Sequence, residues 1–272
     1  MLTLFDSAYD WRRAERYPDD EFFRLVDEVV VRSFYGFVHP VGERLLAGRM
    51  TRDQLRFLAV QEYPYYAGTT WWNAYKLAHS DALSQQRLLH GPLLDELGTD
   101  LIASPGVPAH VDLFVEYCAG LGLSRGEVVG APLVPGVVLA VTELMRIARE
   151  RPQFEFIACS NLVVERMRPP FYRRLLDTFA VHYPWVPSAA LRFYEVHAEA
   201  DHGHASLGRR VVAGYLHAKR DQDAVFSAVL RSLCVRHVMY DGILAALDGN
   251  SPALAPWPNF PREPWPRPME TK

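Results

Sequence analysis

Residues 193–204 read Phe193-Tyr194-Glu195-Val196-His197-Ala198-Glu199-Ala200-Asp201-His202-Gly203-His204. His197, Asp201 and His204 stand at i, i+4 and i+7. At 100° per residue they share a stripe about 60° wide on one helix face. A core-facing stripe would carry Leu, Val or Phe at these spacings. This one carries two imidazoles and a carboxylate, a set suited to non-haem iron, manganese or zinc. The competing account is a solvated polar face, since Glu195, Glu199 and His202 flank the stripe.

Upstream, Glu165 lies in Cys159-Ser-Asn161-Leu-Val-Val-Glu165-Arg166-Met, an apolar helical stretch. A carboxylate there is costly unless it is paired or binds a metal; a buried ion pair with an arginine is the alternative. A third piece is Leu93-Leu-Asp95-Glu96-Leu-Gly98, followed by a loop and Pro108-Ala-His110-Val-Asp112. Glu96 ends one helix and His110 begins the next. Either is also compatible with an ordinary solvated or helix-start role. Glu96, Glu165 and Asp201 with His110, His197 and His204 compose a dimetal set, in which carboxylates bridge two cations and histidines fill the remaining positions.

Around these residues, glycine and proline divide the chain into helix-length pieces. Helices are expected near 20–47, 51–80, 83–97, 109–121, 136–150, 154–168, 171–182, 187–218 and 222–247. Thr51 is placed to cap the second, with Gln54 three residues on. Pro169-Pro170 is expected to end or kink a helix. Alternating strand patterns are scarce. The fold class is therefore all-α: one domain over 1–248, then a Pro-rich tail over 249–272 that packs on the domain or on a partner, or stays disordered.

The 272 residues carry 49% apolar side chains and a net charge of −3. That content supplies a sizeable core, and the weak charge speaks against nucleic-acid binding. The most apolar stretch, 131–145, is too short and too interrupted to span a membrane. No signal peptide is recognised, so a cytoplasmic location is expected. Cys118, Cys159 and Cys234 match no metal or disulfide spacing and read as buried apolar residues.

Together these pieces resemble the haem-oxygenase-like diiron oxidases and oxygenases, which share a fold with thiaminase II and pyrroloquinoline-quinone synthase. The resemblance rests on a Glu and a His around the end of one helix (Glu96, His110), a central Glu (Glu165), and His-x3-Asp-x2-His (His197, Asp201, His204). It extends over about 12–247. One departure is the longer interval between Glu96 and His110, with 101–108 inserted; Asp95 or Asp112 are the alternative carboxylates. The resemblance implies a haem-oxygenase-like helical bundle, two Fe2+ ions (manganese as alternative) on those six residues, O2 as co-substrate, and a homodimer. It implies oxidation of a small molecule, amino-acid- or amine-like, by N-oxygenation, desaturation or C–C cleavage in a natural-product or cofactor pathway. Glu62 is a candidate further ligand, and Tyr65, Tyr66 and Arg166 are candidate substrate contacts. Tyr63, Trp71 and Trp72 are candidates to line the same pocket.

Three rivals were weighed. A ferritin-like diiron site needs two Glu-x-x-His motifs, and only Glu199-x-x-His202 occurs. A zinc hydrolase would leave the extra carboxylates unexplained. A metal-free enzyme of the same fold, like the thiaminase or quinone-synthase branches, remains the main alternative, beside a non-enzymatic helical interaction protein.

Overall fold

The structure is a computed structural model. It describes residues 7–80, 82–99, 106 and 108–250, with the side chains of 200–202 outside that set. The elements in chain order are α1 (Asp19–Ser33), α2 (Tyr35–Val38), α3 (Pro40–Leu46), α4 (Arg52–Ala78), α5 (Leu83–Leu97), α6 (His110–Gly120), α7 (Arg125–Gly130), α8 (Pro135–Glu150) and α9 (Gln153–Ile157). A π-helical segment (Ala158–Glu165), α10 (Arg166–His182), a 3-10 turn (Ser188–Leu191), α11 (Arg192–Ala213) and α12 (Lys219–Leu247) complete them. The all-α expectation holds. No described helix is long and apolar enough to cross a membrane.

Local chemistry sets most boundaries. Thr51 caps α4 in a full capping box with Gln54, and Ser124 does the same for α7 with Glu127. The first expected helix, 20–47, is instead three pieces. The chain turns extended at Phe34 and His39, and Pro40 restarts it at a first-turn position, where its missing amide is no loss. Pro169 and Pro170 do not end their helix. They follow directly on the π segment, where the change of hydrogen-bond register already interrupts the ladder, so α10 runs on to His182. The short α7 was not expected, although Ser124-x-x-Glu127 signals it. Residues 251–272 of the proline-rich tail lie outside the described residues.

The core is continuous. Cys118 and Cys159 are buried in it and Cys234 is half-buried. Its long members are α4, buried along most of its length, and α12, which packs on α8. Those two cross at Gly136 and Gly242, where a Cβ on Gly136 would stand 2.5 Å from the Val238 carbonyl oxygen. That contact is with backbone, which cannot yield as a flexible side chain can. Gly136→Ala is therefore expected to lower stability by about 1–3 kcal/mol. Gly126→Ala, where a Cβ meets nothing within 4 Å, serves as the control. Thermal denaturation reads both; equal melting temperatures for the two variants would refute the tight crossing.

Candidate metal centre

Three helices that are far apart in sequence each contribute one buried ligand. α5 ends at Gly98, whose φ of +73° suits glycine, and Glu96 lies in its last turn. The first residue of α6 is His110, and His197 projects from α11. Their ligand atoms all lie within 4.8 Å of one another. His110 Nδ1 is 3.5 Å from Glu96 Oε2, and the two imidazole rings lie 4.3 Å apart between centroids. All three residues are under a tenth exposed.

Their surroundings orient them. Thr69 Oγ1, on α4, donates to Glu96 Oε2 at 2.9 Å. His197 Nδ1 lies 2.8 Å from the Phe193 carbonyl. A carbonyl only accepts, so Nδ1 carries the proton and Nε2 keeps its lone pair, the tautomer a metal ligand requires. Phe193 packs its ring 4.3 Å from His197, and Tyr172 meets the imidazole edge-on at 6.0 Å. Burial pushes the His197 pKa well down, reinforced by the charges of His110 and Arg168, so it stays neutral. For Glu96, burial works against ionisation, but His110, by charge and hydrogen bond, then His197 and Arg168, outweigh it and hold the carboxyl well below its usual range. A charged carboxylate beside two imidazoles is the two-histidine, one-carboxylate donor set of non-haem iron.

Glu165 stands apart from this group. It ends the π segment, an irregularity often found at functional sites. Its carboxylate accepts from Asn161 Nδ2 and lies 3.6 Å from Lys76 Nζ. Lys76, itself buried, donates to Asn161 Oδ1 at 3.0 Å. The sequence reading offered an arginine as the alternative partner; the structure supplies a lysine from α4 instead. α11 approaches this cluster closely because residue 208 is glycine: a Cβ there would run into the Asn161 side chain. His204 Nε2 meets Asp95 Oδ2 at 3.1 Å, and its backbone carbonyl accepts from Asn161 Nδ2. The side chain of Asp201 lies outside the described residues.

Glu96 and Glu165 line one narrow cleft with Tyr65, Thr69, Trp72, Lys76, Arg168 and Arg236. Tyr65 was expected there. Tyr66 instead lines a neighbouring cavity with Glu62 and bonds the Tyr172 hydroxyl at 3.0 Å. Glu62 is not grouped with the metal-type ligands; Tyr240 donates to it. Tyr63 is fully buried in the core. Arg166 is displaced from its expected place. It is half-exposed, 3.5 Å from Asp27, because it follows Glu165 directly and so points to another side of the helix. Arg168 and Arg236 are the buried cations of the cleft. Reasoning from sequence missed them and Lys76; their only signal was a charge at an otherwise apolar helical position.

The chain matches, over residues 56–237, the model of a family described as iron-containing redox enzymes. Pyrroloquinoline-quinone synthase of Pseudomonas aeruginosa is 23% identical over 220 residues, covering 80% of this chain and 85% of that one. The same enzyme of Pseudomonas putida (strain W619) is 25% identical over 177 residues, covering 63% and 68%. A TenA homologue from Pseudomonas syringae superposes with a TM-score of 0.69 at 12% identity, over 88% of this chain and 98% of that one. A domain from Shewanella denitrificans with a haem-oxygenase-like fold gives 0.63 at 13% identity, over 85% and 91%. The fold is thus the haem-oxygenase-like helical bundle.

Glu62 yields a test in solution. Burial raises its pKa to about 7, against the opposing effects of the Tyr240 bond and Arg168. The folded protein holds this proton to about pH 7, whereas the unfolded chain releases it near 4.5. Between those values the folded state binds more protons, so this group's contribution to stability falls as pH rises through that window. Glu62→Gln is expected to be more stable than the wild type at pH 8, by at most ~3 kcal/mol, and to lose that advantage towards pH 4.5. Denaturant melts at both pH values read this; an advantage that grows on acidification would contradict the burial argument.

Proposed function

The chain belongs to the iron-containing redox enzyme family, and from that premise we propose that it is an O2-activating non-haem iron enzyme that oxidises a small molecule. The observation that carries this is the buried Glu96/His110/His197 group. Iron bound there supplies one-electron steps with O2. The chain's own residues do the rest. Thr69 fixes the Glu96 carboxylate, the Phe193 carbonyl fixes the His197 tautomer, and the rings of Phe193 and Tyr172 help keep water from the imidazoles.

A second iron on Glu165, Asp201 and His204 belongs to the same proposal. It would make this a diiron oxidase or oxygenase, with manganese as the alternative metal. Such an ion must displace the Lys76 ammonium, which already neutralises Glu165. The second equivalent is therefore expected to bind more weakly than the first. An amino-acid- or amine-like substrate, a cytoplasmic location and a homodimer complete the proposal.

The Lys76–Glu165 pair also favours a second reading. An ammonium in place of a cation is what a metal-free enzyme of this fold would hold, using Glu96, Glu165 and the histidines for acid/base work. The quinone-synthase relatives are compatible with it.

Anaerobic Fe(II) titration separates the two. Uptake of iron should raise the melting temperature, since a ligand that binds only the folded state stabilises it. His110→Ala, His197→Ala and Glu165→Ala are expected to stay helical by circular dichroism. The two histidine variants should lose tight Fe(II) binding, and all three should lose at least ~100-fold in O2-dependent turnover, the scale of losing an essential group. No iron uptake and an unshifted melting temperature would overturn the iron reading in favour of the metal-free one.

A further inference from the structure

The cleft that holds Glu96 and Glu165 at one end holds an unbalanced positive charge at the other. Arg236 is 2% exposed. Its hydrogen bonds go to neutral acceptors only: the Ser232 carbonyl at 2.9 Å, the Ser232 hydroxyl at 2.6 Å and the Tyr65 hydroxyl at 3.0 Å. Its Nε has no hydrogen-bond partner among the described residues, and neither has the indole Nε1 of Trp72, which is 4% exposed. Both residues line the cleft, as does Arg168, whose guanidinium lies over the rings of Tyr65 and Tyr66. Lys76 is the third cation, but Glu165 answers it. A guanidinium taken out of water without a counter-ion is among the most costly groups a fold can bury. Two bare N–H donors at the same place add to that cost.

We propose that Arg236, with Trp72 and Arg168, is the seat for the carboxylate of the substrate, which supplies the anion the fold omits. This rests on the reading of the cleft as a substrate site. A guanidinium presents a planar fork of donors that matches a carboxylate, and the Trp72 N–H adds a further donor. The room at the centre of the cleft is about 20 Å3, enough for one water. It suits a small flat head group rather than a phosphate with its four oxygens. Bound there, the carboxylate would hold the rest of the substrate in the cleft that Glu96 and Glu165 also line. The substrate class is therefore a small carboxylic acid, amino acids included, and not a simple amine.

The test uses the full-length protein, metal-free and loaded with Co(II). Each form is titrated with acetate and benzoate, and with acetamide and benzamide as neutral counterparts, at constant ionic strength. Calorimetry and tryptophan fluorescence are the readouts. In the metal-free protein, where no metal can hold the carboxylate, each acid is expected to bind at least tenfold more tightly than its amide. Arg236→Gln should abolish that preference. Trp72→Phe removes one N–H and little volume, and should weaken the acids severalfold while leaving Co(II) binding intact. Equal binding of acid and amide, an unchanged preference in both variants, or no binding of either acid at millimolar concentration would overturn the proposal. Carboxylate preference without Co(II) binding would sink the iron reading and keep this one; Co(II) binding without the preference would do the reverse.

Discussion

The rest of this structure depends on how an apolar helical interior accommodates charge. Glu62, Glu96, Glu165, Lys76, Arg168 and Arg236 are all under a tenth exposed, as are His110 and His197. An isolated ion in such a setting is not sustainable, so each group constrains the helices that bring its neighbour. α4 supplies Thr69 to Glu96 and Lys76 to Glu165. α12 supplies Tyr240 to Glu62. The bundle is held in register by these polar contacts as well as by its apolar packing.

The cleft divides by charge. Its acidic and imidazole end is complete enough to hold a cation, and one carboxylate there already has the Lys76 ammonium beside it. Its other end is cationic and under-satisfied. A metal ion and an organic acid are the complementary occupants of such a site, and binding either would relieve a cost that folding leaves in place. Arg168 lines both this cleft and the neighbouring cavity rich in tyrosine, so the two share a wall made by one flexible side chain.

The irregular backbone is concentrated at the same place. The π segment ends at Glu165, and two prolines follow within five residues. A straight α-helix with that sequence would break at the prolines. The π register absorbs them and lets a single long rod present Asn161, Glu165 and Arg168 around the cleft. The glycine at 208 lets α11 approach, so Asn161 meets both Glu165 and the backbone of His204.

The sequence by itself determined the helical class, most helix positions and the residues bearing metal-type chemistry, because helix periodicity and capping are local and leave a local pattern. It also carried the family, through the order of Glu96, His110, Glu165 and His197. Only the tertiary structure decided which of those side chains converge. Glu96, His110 and His197 do, although some hundred residues separate the first from the last, whereas Glu165 is claimed by Lys76 and His204 by Asp95. The pairings among α4, the π segment and α11 have no sequence period to announce them. Arg166 and Arg168 illustrate the limit. Two positions apart on one helix, they differ by about 200° in direction, and only packing shows which of the two faces the cleft.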